Sequence, residues 1–276
     1  MRRAFKPLRV LLALGCFALV NVAFLAPLVA AALCEPGDAF AARIAAWQFW
    51  PAMMKLYLPA VAVILAVTLL MGRVYCSTLC PLGVFQDIVI RVKRLFTKKS
   101  AGYYAPCPRT RFVILGVCLA SALFGALGLA ALVEPYSVYG RFATQLVRPA
   151  LQAAVNAVAD WGDAHEHYWL MRDEIVTDCL ALWAAAVSML VVAGLAVWRG
   201  RWFCNAICPV GTVLAALSQR PLMKISIDSD KCVKCGLCAR ACKAGCIDVK
   251  NGKVDNARCV RCFNCLGVCK KGAVKL

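Results

Sequence analysis

The residues of this chain best suited to chemistry are cysteines, and their spacing says what chemistry. Nine of the 18 lie within residues 232–269, and eight of these form two runs. They read Cys232-x2-Cys235-x2-Cys238-x3-Cys242 and, after a short connection, Cys259-x2-Cys262-x2-Cys265-x3-Cys269. Three thiolates at i, i+3 and i+6 on a tight loop can reach three corners of one iron–sulfur cube. The fourth cysteine of each run serves the other cube. This assigns Cys232, Cys235, Cys238 and Cys269 to one 4Fe-4S cluster, and Cys259, Cys262, Cys265 and Cys242 to a second. Zinc sites use CxxC pairs rather than a doubled run. Disulfides need an oxidising compartment, and the charge distribution described below puts this segment in the cytoplasm. Cys246, shortly after Cys242, is either a small residue packed beside a cluster or a spare ligand.

A second set of cysteines belongs to an internal repeat. Gly72-Arg73-Val74-Tyr75-Cys76-Ser77-Thr78-Leu79-Cys80-Pro81-Leu82-Gly83 returns further along as Gly200-Arg201-Trp202-Phe203-Cys204-Asn205-Ala206-Ile207-Cys208-Pro209-Val210-Gly211. Pro81 and Pro209 suit the first position of a helix, which makes Cys80 and Cys208 N-caps. A thiol there feels the helix dipole, so a lowered pKa is expected. If the two copies meet, Cys76, Cys80, Cys204 and Cys208 can bind a tetrahedral metal or a third cluster, cycle as redox thiols, or simply cap and pack. Cys16, Cys118 and Cys179 fall in or beside apolar segments and read as packed small residues. Cys107, between two prolines, carries no assignment.

The elements that must position these cysteines are apolar. The chain has 276 residues, 62% of them hydrophobic, with a net charge of +18. Long apolar runs place it among membrane proteins. Four spans are expected, at about 10–33, 53–71, 112–133 and 175–198, within a membrane domain over 1–220. The uncharged run from Val10 to Leu33 exceeds the usual apolar core of a cleaved signal peptide. Pro59 is expected near the start of the second span, where a missing N–H is tolerated. Segments 34–52 and 134–174 read as loops. Residues 1–9, 72–111 and 199–276 hold 27 of the 32 Lys and Arg, and the other two inter-helix segments hold five. The positive-inside rule then puts both termini and the 72–111 loop in the cytoplasm. The charge serves topology; no nucleic-acid partner is implied. Residues 81–96 place Phe85, Ile88, Val89, Val92, Leu95 and Phe96 on one face, as in an amphipathic helix on the membrane surface.

Glu35-Pro36 after the first span corresponds to Glu134-Pro135 after the third, so the membrane part is two parallel two-helix repeats. Such repeats are related by an axis along the membrane normal. Both CysxxxCysPro loops would then meet on the cytoplasmic side, with the Glu-Pro corners on the other. Glu134, with Tyr136 and Tyr139 beside it, is a candidate quinol site, because quinol oxidation needs a proton acceptor. The plainer reading is that Glu134 ends a helix. His165 and His167 are either surface residues or a metal or proton-relay pair.

Residues 224–276 resemble a bacterial-type 2x4Fe-4S ferredoxin, an α+β fold. Lys224–Asp228 should pair with Ala273–Leu276, and 247–254 should form a hairpin about Asn251-Gly252. The family usually has Pro after the fourth cysteine of each run, whereas this chain has Lys243 and Lys270. Four spans, two CysxxxCysPro motifs and this C-terminal domain together resemble the NapH/NosR family of membrane polyferredoxins. The resemblance implies a multi-pass protein of the bacterial inner membrane. It would accept electrons from the quinone pool, as an oxidoreductase subunit acting on quinol, and pass them to a periplasmic iron–sulfur, haem or flavin partner. Two other readings stay open: a metal (cupric) reductase or assembly factor like the CcoG family, and a conduit from soluble ferredoxin to a periplasmic flavoprotein.

Overall fold

The computed structural model describes residues 5–26, 37–97, 102–165 and 177–276. Cys34, Glu35, Pro36, Glu166 and His167 lie outside them. The chain is mostly helical, with a C-terminal ferredoxin-type domain. Among the described residues two helices are long and apolar enough to cross a membrane, Phe5–Phe24 and Cys179–Arg199. Their outer faces expose Leu11, Leu12, Leu180, Trp183 and Leu190.

The other two expected spans are interrupted, for local reasons. The second divides into Phe49–Met54 and Leu58–Met71. Leu56 between them has φ 52°, and Pro59 sits in the first turn of a new helix rather than early in one long helix. A 14-residue helix is ~21 Å long at 1.5 Å per residue, short of the ~30 Å hydrocarbon layer. The third divides into Pro108–Leu123 and Leu127–Val133, and Gly125 turns through φ 75° between them.

The segments read as loops are also helical and fold inward. Residues 37–54 form two short helices, Gly37–Ala46 and Phe49–Met54. The second returns to the first cysteine loop, where the Tyr75 hydroxyl donates to Gln48 Oε1 at 2.9 Å and accepts from Phe49 N–H at 3.0 Å. Beyond Val133 come Pro135–Phe142, a π-turn over Ala143–Val147, and Arg148–Asp163. Tyr139 donates to Asn21 Oδ1 at 2.7 Å, and its ring lies 6.5 Å from that of Phe85. The Glu134-Pro135 corner therefore does not stand at a face remote from the cysteine loops, as the repeat arithmetic suggested. Aromatic packing of Tyr139 and Phe142 on Phe85 draws it into the helical core.

The amphipathic helix is Pro81–Phe96. Ile88, Val92, Leu95 and Phe96 are exposed, while Leu82, Val84 and Ile90 are buried. The ferredoxin-type domain pairs Ser226–Ile227 with Val274–Lys275, antiparallel, and Ile247–Asp248 with Lys253–Val254. Both pairings follow the sequence expectation. Asp248 holds the hairpin loop through the Asn251 side chain at 2.7 Å.

Candidate iron–sulfur and thiol sites

The two cysteine runs fold as loop followed by one helical turn, Leu237–Ala241 and Asn264–Val268. Lys234 and Arg261, at corresponding places in the two loops, both have φ 52°. That left-handed step bends each loop so its thiols converge. Cys232, Cys235, Cys238 and Cys269 line one cavity of about 200 Å3. Cys242, Cys259, Cys262 and Cys265 line another, together with Cys246. Each set combines three thiols of one run with the fourth of the other. Such an all-thiol set in an apolar pocket suits an iron–sulfur cube. Cys246 Sγ is 3.5 Å from Cys242 Sγ. In the second run its place is taken by Ala273.

Lys243 does not turn its ammonium toward the cluster pocket. Its Nζ pairs with Asp87 at 2.9 Å. Lys270 is exposed.

The repeated cysteine loops meet across a pseudo-two-fold. Each ends its helix at a glycine, Gly72 or Gly200, and the next residue is an arginine that crosses to the other copy. Arg73 donates to the Cys204 carbonyl at 2.9 Å and to Asn205 Oδ1 at 2.7 Å. Arg201 donates to the Cys76 carbonyl. Gly83 and Gly211 face those same carbonyls so closely that a Cβ on either would overlap them. Both arginines are 0% exposed. Cys76, Cys80, Cys204 and Cys208 are all buried at this junction. Cys80 and Cys208 are N-caps with proline next, as expected, and Cys208 Sγ accepts from Gly211 N–H at 3.2 Å. The expected lowering of their pKa is overturned. Burial, then the neighbouring thiols, push Cys80 and Cys208 well above the usual thiol value, which outweighs the helix end. Among the described residues no three Cys, His, Asp or Glu side chains converge tightly enough to hold a single metal ion.

The two-fold is broken by charge. Arg201 also binds Asp87, Nε to Oδ1 at 2.8 Å, and Asp87 further receives Arg9 at 3.1 Å and Lys243. Burial alone would raise the Asp87 carboxyl, but Arg201, Lys243 and Arg9 hold it at about 2. When Gly83 is aligned with Gly211, Asp87 falls opposite Ala215, so Arg73 has no matching carboxylate. Its Nη2 lies 3.8 Å from Cys76 Sγ.

The ferredoxin-type domain seats on this junction through its second cluster pocket. Arg201 N–H donates to the Lys243 carbonyl at 2.9 Å, and Asn205 Nδ2 to the Ala244 carbonyl at 3.2 Å. The Arg261 guanidinium lies against Gly72. Tyr104 wedges between the two parts, accepting from Asn205 and receiving Arg258 on its backbone carbonyl. Arg73, Asp87, Arg201, Asn205 and Tyr104 were not singled out by sequence reasoning. The Gly-Arg pair in both repeats was the available signal for the two arginines.

Glu134 is buried, and its carboxylate accepts from Tyr136 N–H and Ser137 N–H, capping the helix Pro135–Phe142. The rings of Tyr136 and Tyr139 pack on Phe24. His165 is exposed, stacked on Trp161 at 4.4 Å, with Nδ1 2.7 Å from the Trp161 carbonyl. Cys16 and Cys118 lie in helices, Cys118 buried, and Cys107 and Cys179 are exposed.

These features define an iron–sulfur electron-transfer protein of ferredoxin type. Residues 56–99 and 181–227 each match a family described as a 4Fe-4S binding domain, and 225–248 match a second family of the same description. The methylamine utilization ferredoxin-type protein MauN of Paracoccus denitrificans is 25% identical over 201 residues, 71% of this chain and 57% of MauN. Two uncharacterised proteins of Methanocaldococcus jannaschii also match. One is 42% identical over 41 residues, 15% of this chain and 17% of its own length. The other is 24% identical over 186 residues, 65% of this chain and 62% of its own. This chain thus spans less than two thirds of each relative. No solved structure matches it.

Proposed function

We propose that the chain is a membrane-embedded electron conduit carrying three iron–sulfur centres. Two are held by the ferredoxin cysteines in the three-plus-one sets described above. The third is held between the repeats by Cys76, Cys80, Cys204 and Cys208. One observation carries this reading. Each of the two repeats that match a 4Fe-4S domain holds just two cysteines, too few for a cube, and the pseudo-two-fold buries all four at one junction. Arg73 strengthens it, since a fully buried guanidinium without a carboxylate calls for other negative charge, which ligating thiolates supply. A dithiol relay needs a thiol that a partner can reach, and all four are buried.

When bound, such clusters store and pass single electrons. The chain's own residues seat the second cluster pocket directly on the four-cysteine junction, through Arg201, Asn205, Asp87 and Arg261. The exposed apolar faces of Phe5–Phe24, Cys179–Arg199 and Pro81–Phe96 support a lipid setting. The lysine and arginine distribution supports cytoplasmic termini and a cytoplasmic ferredoxin domain. Four crossings would require the interrupted pairs, 49–71 and 108–133, each to cross as a unit.

A second observation favours quinol as the membrane-side reactant, at a place other than Glu134. Val10, Ala13, Leu14, Val84 and Ile88 wall a crevice of about 130 Å3 that ends at Arg9, Asp87, Arg91 and Lys243. It offers an apolar channel with a charged end beside both inner sites. A periplasmic redox partner completes the quinol dehydrogenase reading.

The test is iron counted per chain in anaerobically purified protein. About twelve irons support three cubes, falling to about eight in Cys76→Ser or Cys208→Ser with the ferredoxin EPR signals kept. About eight in the parent chain, with four freely alkylated thiols, would refute the third centre. Reconstituted protein whose cluster absorbance bleaches with menaquinol or ubiquinol supports the quinol reading. Reduction by soluble ferredoxin alone favours the conduit from the cytoplasm, and reoxidation by cupric ion alone favours the metal reductase.

A further inference from the structure

The two cysteine runs are copies of one pattern, Cys232 matching Cys259 and so on along each run, yet their surroundings are opposite. In the second run Val260 is 1% and Arg261 1% exposed. Phe263 is also buried there, its ring 5.7 Å from that of Phe5. The counterparts in the first run are Val233, 63% exposed, and Lys234, also exposed. The ligand sets divide the same way. Cys242, Cys259, Cys262 and Cys265 are all buried, whereas in the other set only Cys238 is buried, Cys235 is exposed and Cys232 and Cys269 are half-buried. The seating contacts come from 240–245 and 256–263, through Arg94 on the carbonyls of Arg240 and Ala241, and through Arg201, Asn205 and Phe5. One cluster pocket is sealed against the helical part and the other opens to solvent.

The open pocket is ringed by one sign of charge. Lys231, Lys234, Lys270 and Lys271 all line it, and all are exposed. Asp230 is the one acid between residues 229 and 238, and Asp228 is taken by Lys275 at 2.6 Å. Exposed Val233 and Cys235 stand inside the lysine ring. Apolar centre and charged rim make a docking face in which the charges orient the partner and a ligand thiol lies at the point of contact.

We propose that this face docks an acidic, soluble one-electron carrier protein, making the pocket of Cys232, Cys235, Cys238 and Cys269 the outer port of the chain. The proposal rests on the cluster assignment given above. In each encounter one electron crosses, so that carrier and port change by one electron in opposite senses and no bond is made or broken. Anionic lipid would also meet lysines, but it has no use for a ligand thiol at their centre.

The test uses the full chain in detergent, with iron and EPR signals counted first. The probe is a strongly acidic soluble 2Fe-2S ferredoxin. A carbodiimide joins carboxylates to lysines in contact, and mass spectrometry locates the joints. They are expected at Lys231, Lys234, Lys270 and Lys271. Binding should weaken about tenfold or more between low and high salt. Lys234→Gln with Lys271→Gln should weaken it similarly at low salt, and the control pair Arg109→Gln with Lys253→Gln should not. If the first pair loses clusters, the cross-link map and salt dependence of the parent chain still decide. Joints elsewhere, salt-insensitive binding or an equal effect of the control pair would overturn the proposal. So would joints between two copies of this chain, or shielding of these lysines by phosphatidylglycerol vesicles but not by the ferredoxin. A chain that cross-links as expected but lacks the iron–sulfur signal would sink the cluster assignment and leave the docking face standing.

Discussion

Asp87→Asn should loosen the seam between the helical part and the ferredoxin-type domain, and the size of the effect can be worked from the site. Asp87 receives Arg9 from the first helix, Arg201 from the second repeat and Lys243 from the ferredoxin domain. Its carboxyl is held at about 2 against an ordinary 3.8, which amounts to about 2.5 kcal/mol favouring the folded arrangement. The folded value is the lower one, so this stabilisation is complete above the ordinary value and is lost as pH falls through about 2. At neutral pH only substitution removes it. Asparagine keeps the shape but strands three buried cations, and unpairing a buried charge typically costs about 3–5 kcal/mol. The larger figure includes repulsion among the stranded cations, so about 2.5 kcal/mol, or roughly 70-fold in an opening equilibrium, is the minimum. Hydrogen exchange at neutral pH should show faster exchange at 240–245 and at Arg201 N–H. The hairpin Ile247–Asp248 with Lys253–Val254 should keep its protection. Adding Lys243→Met to Asp87→Asn removes one stranded cation and should restore part of the loss. Unchanged exchange at 240–245, or a double variant worse than the single one, would refute the reasoning.

Gly83→Ala and Gly211→Ala each drive a Cβ into a backbone carbonyl at the repeat junction, so either should cut the yield of folded chain sharply; Gly194→Ala, which has open space, should not, as gel filtration would show. Glu134→Ala removes a helix cap and should cost about 1 kcal/mol in thermal unfolding; if quinol reduces the clusters, its rate should be unchanged, and a large loss of rate at normal stability would make Glu134 a quinol ligand. Lys243→Met should lower the midpoint potential of the sealed cluster more than Lys270→Met lowers that of the open one, because solvent screens the exposed ammonium. An EPR-monitored titration showing equal shifts would mean that the Asp87 pairing already cancels the Lys243 charge.

What could be read from the sequence was whatever repeats or is local. The two cysteine runs, the Asn251-Gly252 turn and the doubled Gly-Arg to CysPro segment each carry their own signal, and the structure gathers those cysteines into three groups. The helix interruptions were hidden, because Leu56 and Gly125 break runs that stay apolar throughout, and hydropathy does not register backbone angle. The inward fold of 134–142 was hidden too, because it depends on Tyr139 and Phe142 meeting Phe85, a contact between segments with no shared pattern. Asp87 was the hardest to find. A single acid on an amphipathic helix reads as a solvated face, and its three partners come from three distant segments. Yet Asp87 is what makes the repeats differ in charge. The Gly-Arg pair is present twice, and each arginine caps the other copy's cysteine loop. Among the described residues only Arg201 of the two is paired with a carboxylate, and Ala215 stands where a second Asp would be. Asp87 therefore serves Arg201, Arg9 and Lys243, while Arg73 is met by Asn205, the Cys204 carbonyl and the Cys76 sulfur. On the proposed reading, cluster-bound thiolates at Cys76, Cys80, Cys204 and Cys208 would supply the balancing negative charge. This charge balance is independent of any family likeness, and the iron count proposed above decides between ligands and packing.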